Sequence, residues 1–415
     1  MTGMSGLSAA HRLLVSRALR GVIDGSVSVM LAGYLSRLGL VPSQVGLLVT
    51  GTLLGSGVLT LAVGLVAHRF AVRRLQLFAA LLMIATGLGF AALDRFWPLL
   101  IVAVLGTLNP SSGDVSVFLP LEQAQLAHTA AGPRQTAALF ARYNVVGTFA
   151  GALGALVAGT PELVARLGML DVLAAEKSTF LVYSAVGAVV AWLYAGMPEL
   201  SAKPGAAARP LEKSRRAVLQ LSALFSLDSF GGGFVVQSLL TLWLQQRFGL
   251  SVAGAGVFFF ASSLLSALSQ FISPKLAAQI GFVRTMVYTH IPANLLLMSA
   301  AFMPSLPLVL TCLLLRASIS SMDVPARQAY VMSVVPPEER AAAASVTNVP
   351  RSLASSLSPA LAGLLIERGA LIERMLPWLG RASAAVPLLC AGFLKIAYDL
   401  SLLALFRARD LRPET

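Results

Sequence analysis

Charge, cysteine and histidine are all scarce in this chain, and each shortage excludes something. Of 415 residues only 12% are Asp, Glu, Lys or Arg. That is about half the share with which a water-soluble domain solvates its surface, so an ordinary water-facing globule is excluded. The two cysteines, Cys312 and Cys390, both lie inside apolar runs, which rules out a disulfide framework. Histidine occurs only at positions 11, 68, 128 and 290. No His-Glu-x-x-His, no protease-type Gly-x-Ser-Gly and no ligand-spaced cluster is present, so no metal, no cofactor and no enzyme activity is expected. Ala9–Leu19 carries His11, Arg12 and Arg17 without a cleavage site, so no removable signal peptide is expected and the first helix serves as the targeting signal.

What the chain has instead is apolar length. Hydrophobic residues make up 57%, the mean hydropathy is +0.79, and the apolar runs approach the roughly 20 residues that cross a bilayer as a helix. Ala79–Leu93 and Ser178–Met197 are examples. The runs do not alternate as barrel strands do, so the expected fold is an all-α membrane protein with the lipid bilayer as its solvent. Twelve helices are predicted, at 13–36, 44–67, 74–93, 97–125, 136–159, 178–197, 216–243, 252–278, 285–303, 306–335, 341–366 and 384–406. The formal charge of +13 sits at helix ends and forms no aromatic-laced patch, so it reads as membrane topology and no nucleic-acid partner is expected.

Pro198–Arg216, polar and proline-rich, divides the chain nearly in half. The expected domains are an N-terminal six-helix half at 1–197, a cytoplasmic linker at 198–215 and a C-terminal half at 216–415. Loops on the side of the termini hold about twice as many basic residues as those opposite, which places both termini in the cytoplasm at the inner membrane. The halves also share a register. Arg37-Leu38-Gly39-Leu40, followed by Gly46, recurs 210 residues later as Arg247-Phe248-Gly249-Leu250, followed by Gly256, and Arg74 falls on Arg284 at the same offset. Two parallel halves are the expected architecture.

Between the second and third helices stands Gly64-Leu-Val-Ala-His68-Arg69-Phe-Ala71-Val-Arg73-Arg74. With the helix count and the linker, this loop resembles the major facilitator superfamily, whose pattern there is Gly, Asp-Arg, Gly and then basic residues. Gly64, Arg69, Arg73 and Arg74 match, while His68 replaces the Asp and Ala71 the second Gly. The resemblance implies a loop that latches the cytoplasmic side. Pro336-Pro337-Glu338-Glu339-Arg340 is similar to the equivalent loop before the eleventh helix, and Gly147, Gly151 and Gly154 are similar to the glycine motif of the antiporter branch. It further implies that helices one, four, seven and ten line a central cavity while three, six, nine and twelve face lipid.

Charge follows that division. Beyond its first residue, Arg74, the third predicted helix has none, the sixth has none, and the ninth has only His290. The first has Arg17, Arg20 and Asp24, the fourth Asp114 and Glu122, the seventh Asp228, and the tenth Arg316, Asp323 and Arg327. An ionisable group at membrane depth costs about 2.5–3.5 kcal/mol on insertion scales, so it faces a cavity or a partner. The candidate substrate or proton site is Asp24, Asp114, Glu122, Arg142, Asp228, Arg316, Asp323 and Arg351. Arg142 and Arg351 either hold an anionic or zwitterionic solute or pair with Glu122 and Asp323. Asn109-Pro110 and Asp323-Val-Pro325 predict kinks, and Gly231-Gly232-Gly233 a hinge. Lys395 and Asp399, at i and i+4, are expected to neutralise each other, and His290 to be a packed, hydrogen-bonded residue. The expected function is a secondary transporter of a small organic solute, proton-coupled and exporting, acting as a monomer. An uncoupled facilitator or amphiphile carrier with charged gates is the alternative.

Overall fold

A backbone in hydrocarbon must satisfy its own N–H and C=O groups, so each apolar run becomes a helix. The computed structural model describes residues 8–66, 69–111, 116–129, 133–199, 211–212 and 214–407, and those residues contain no strand. The helices are α1 (Ala9–Arg37), α2 (Pro42–Val66), α3 (Val72–Ala92), α4 (Phe96–Leu105), α5 (Phe118–Thr129), α6 (Pro133–Val157), α7 (Thr160–Arg166) and α8 (Val172–Ala195). They continue with α9 (Arg215–Gly233), α10 (Gln237–Phe248), α11 (Val252–Ile280), α12 (Phe282–Phe302), α13 (Leu306–Ser320), α14 (Asp323–Val334), α15 (Arg340–Glu367), α16 (Gly369–Met375) and α17 (Val386–Phe406). Among the described residues, 10 helices are long and apolar enough to cross a membrane. The two-piece pass α4–α5 and the 21-residue α12 complete twelve. Large apolar side chains stand exposed, Phe271 at 75% and Trp97 at 72%, as a lipid-facing surface requires.

Among the described residues the fourth, seventh and tenth passes are broken: α4 stops at Leu105, α9 at Gly233 and α13 at Ser320. The first break begins one turn before the predicted Asn109-Pro110. There the Thr107 N–H, lost from the helix, donates to Thr86 Oγ1 at 3.2 Å. The tenth pass breaks before Pro325, which sits in the first turn of α14, where its missing N–H has no helical partner to lose. Gly233 ends α9, and a Cβ there would stand 2.2 Å from the Ser355 carbonyl oxygen of α15, so the glycine admits a close helix approach.

The chain falls into two compact units. One holds 1–40, 51–205 and 250–257, the other 41–50, 206–249 and 258–415. They depart from a plain halving at 41–50 and 250–257, and the repeated glycines show why. In the second unit, Gly46 lies where a Cβ would be 2.4 Å from the Pro359 carbonyl oxygen, and Glu367 accepts the Ser43 N–H at 3.0 Å. In the first, Gly256 lies likewise 2.2 Å from the Ala155 carbonyl oxygen, and Glu162 accepts the Val252 N–H at 3.0 Å. The repeat recurs in the turns as well, where Gly39 (φ 86°) and Gly249 (φ 66°) both adopt the left-handed conformation that glycine tolerates. Of the predicted linker, residues 200–210 and 213 lie outside the described residues.

Candidate functional site

Each unit contains a buried polar cluster among its described residues. In the first unit the centre is Glu122 on α5, fully buried. Arg20 of α1 pairs with its Oε2, and the Tyr143 hydroxyl of α6 donates to the same oxygen. Oε1 accepts from Ser16 of α1 at 2.9 Å and from the Tyr194 hydroxyl of α8 at 2.5 Å. The Arg20 guanidinium lies 4.2 Å from the Phe118 ring centre and that of Arg17 5.1 Å from Tyr143, within cation–π range. Small residues allow this crowding. A Cβ at Gly147 would stand 2.1 Å from Arg17 Nε, while Gly151 and Gly154 receive the α1 backbone at Gly25 and Val22. The three glycines therefore have a packing role in the contact of α1 with α6.

In the second unit the centre is Asp228 on α9, also buried. Lys395 Nζ of α17 approaches Oδ1 at 2.6 Å and Arg327 NH1 of α14 approaches Oδ2 at 3.2 Å. Arg327 also reaches Asp323 at 3.5 Å. His290 of α12 stands between two acids, its Nε2 3.7 Å from Asp228 and its Nδ1 2.9 Å from Asp399 Oδ1. Asn294 donates to Asp399 at 3.4 Å. Isolated, these ions would be costly in lipid. Gathered, they offset one another.

The clusters take in Glu122, Asp228 and Asp323. Asp24 is half-buried on α1, near the charges of Arg20 and Arg17, without an ion-pair partner among the described residues. Arg142 is exposed, and its neighbour Tyr143 takes the place beside Glu122. Arg351 donates its Nε to Ser229 at 2.8 Å rather than pairing with Asp323. Arg316 is half-buried on α13, near the charges of Asp228 and Asp323. Asp114 and His68 lie outside the described residues.

Two expectations are corrected. Lys395 and Asp399 do not neutralise each other, because Lys395 reaches Asp228 and Asp399 takes His290. The sixth, ninth and twelfth passes, which the resemblance turns toward lipid, also bring polar groups to the clusters, α8 supplying Tyr194, α12 His290 and α17 Lys395, and the sixth is not free of charge. α8 also starts at Val172 instead of 178, capped by Asp171, and so acquires Glu176, buried and paired with Arg37. Asp171 followed by an apolar run was the available cap signal.

In the loop, Arg73 and Arg74 approach Glu199, just after α8, at 3.6 and 3.5 Å. Arg69 is exposed, and Gly64 would meet nothing within 4 Å if it carried a Cβ. Glu339 of the second loop is buried, accepting the Glu212 N–H at 3.2 Å and the Ser214 N–H at 3.1 Å.

Comparisons agree with the helical fold. A family model described as the Major Facilitator Superfamily matches residues 13–397. An uncharacterized membrane protein of Saccharomyces cerevisiae is 25% identical, covering 96% of this chain and 94% of its own. Among solved structures, a bacterial homolog of the human lysosomal transporter Spinster has a TM-score of 0.73 at 16% identity, covering 98% of each chain. A D-xylose-proton symporter has a TM-score of 0.72 at 14% identity, covering 95% of this chain and 97% of its own.

Proposed function

This chain belongs to the Major Facilitator Superfamily, and from that premise we propose that it is a proton-coupled secondary transporter moving a small organic solute by alternating access. The observation that carries the coupling is His290, held between Asp399 and Asp228. A neutral imidazole has one N–H, so it can donate to only one of the two acids. A protonated ring donates to both. Gain or loss of that single proton changes how many cationic partners Asp228 has, and Asp228 already joins α9 to α14 and α17. A proton is thereby linked to the packing of three passes, which is what coupling to a conformational cycle requires.

The termini are placed in the cytoplasm by the excess of basic residues on their side, and export is the direction put to the test. The purified protein is reconstituted in liposomes containing a pH-sensitive dye, and a panel of organic solutes is added. Solute entry should move protons, and His290→Gln should abolish that proton movement while solute counterflow persists. Proton movement that survives His290→Gln but is lost in Asp24→Asn would shift the coupling group to the first unit. Solute flux indifferent to a pH gradient would leave the uncoupled facilitator, with these charges as gates.

A further inference from the structure

In the second unit the cations outnumber the acids. Asp228, Asp323 and Asp399 face Arg316, Arg327, Arg351 and Lys395. Arg327 and Lys395 are taken by Asp228 and Asp323, and Asp399 is taken by His290 and Asn294. Arg316 and Arg351 remain, with no carboxylate in ion-pair distance among the described residues. Arg351 has only the Ser229 hydroxyl, at 2.8 Å. Arg316 has a buried Nε without any hydrogen-bond partner. Arg351 reaches the edge of the ion-pair core, since Ser229 follows Asp228 on α9, and Arg316 on α13 lies within the electrostatic reach of Asp228 and Asp323.

Snorkelling does not account for them. Arg316 lies ten residues into its pass and Arg351 eleven residues into α15, about 15 Å from the helix start at 1.5 Å per residue. That is near the middle of the hydrocarbon, where a long side chain does not reach the headgroups. A cation at that depth is found where a partner or a cavity receives it. The planar guanidinium fork matches a carboxylate or phosphate with two parallel hydrogen bonds.

We propose that Arg316 and Arg351 are the recognition groups for an oxyanion, so that the transported solute carries a carboxylate or a phosphate. This rests on the reading of the chain as a solute transporter and is independent of proton coupling. The full chain in detergent is unfolded thermally with inorganic phosphate, glycerol 3-phosphate, succinate or benzoate, each against a neutral counterpart (glycerol, succinamide, benzamide). Saturating oxyanion should raise the midpoint by about 2 °C or more, and the neutral counterparts should not. The phosphates and carboxylates, as separate arms, tell which oxyanion it is. Arg316→Gln and Arg351→Gln should remove the shift, and Arg316→Lys should keep a weaker one.

The unliganded Arg316→Gln protein should be as stable as the parent or more so, because the substitution removes a charge with no partner. A structural arginine would behave oppositely. A fall in the unliganded midpoint, a shift that persists in both Gln variants, equal shifts from neutral counterparts, or no shift from any oxyanion overturns the proposal. Absence of any oxyanion shift in the unsubstituted protein alongside intact solute flux would sink this inference and leave the transport reading standing.

Discussion

Glu122 and Asp228 are both buried hubs, yet they are satisfied in opposite ways. Around Glu122 stand three hydroxyls, from Ser16, Tyr143 and Tyr194, and one cation, Arg20. Around Asp228 stand Lys395, Arg327 and the His290 ring. Hydroxyls bring hydrogen bonds without charge, so the Glu122 cluster balances with a single ion pair. The Asp228 cluster balances only through several cations, one of which exists only when an imidazole is protonated. Burial of charge is tolerated in both units. Only in the second does the balance depend on something that can change.

The comparison breaks first at Asp228. Asp228→Asn leaves Lys395 buried without its carboxylate, and removing one partner of a buried pair costs about 3–5 kcal/mol. Chemical unfolding of the detergent-solubilised protein should show a loss in that range. Asp228→Asn with Lys395→Met should recover much of it, and a double variant no better than the single would show that the two do not act as a pair. Glu122→Gln should cost less, near about 3 kcal/mol, because its hydroxyl partners can turn to an amide oxygen and Arg20 keeps the Phe118 ring. Tyr143→Phe and Tyr194→Phe should follow at about 1.5–3 kcal/mol each, the worth of a hydrogen bond to a charged group. If either tyrosine variant costs more than Glu122→Gln, the cluster is organised by its hydroxyls and the contrast fails.

Much of this was legible because charge is conspicuous in an apolar run. Glu122, Asp228 and Asp323 stood out for that reason, as did Asn109-Pro110 beside the fourth-pass break. Tyr143, Tyr194 and Ser16 did not, since tyrosine and serine are ordinary in membrane helices and only helix rotation decides what they face. Lys395 and Asp399 were misread for a related reason. Spacing of i and i+4 puts two side chains on one face, but it does not say which neighbouring helix that face meets. Here α9 and α12 bring Asp228 and His290 to it. The tenth-pass break at Ser321 carries no proline or glycine of its own, and its signal was Pro325, four residues further on.

The smallest expected effect lies outside the clusters, in the two loops that the sequence pairs. Glu339 is buried and holds the entry to α9 through two backbone N–H groups and the Ser214 hydroxyl. Glu199 is 44% exposed and meets Arg73 and Arg74 beyond hydrogen-bond distance. Exposed ion pairs contribute about 0–1 kcal/mol, whereas a buried acceptor of backbone donors leaves those donors unsatisfied when it is lost, at about 1–3 kcal/mol. Glu339→Ala should therefore lower the unfolding midpoint clearly, and Glu199→Ala should leave it nearly unchanged. A latch that forms and releases during transport need not add stability, so Glu199→Ala should instead alter the solute flux measured in liposomes. Equal destabilisation by the two substitutions would mean that both loops are structural caps. An unchanged flux with Glu199→Ala would mean that the arginine loop latches through other groups, of which Arg69 is the first to replace.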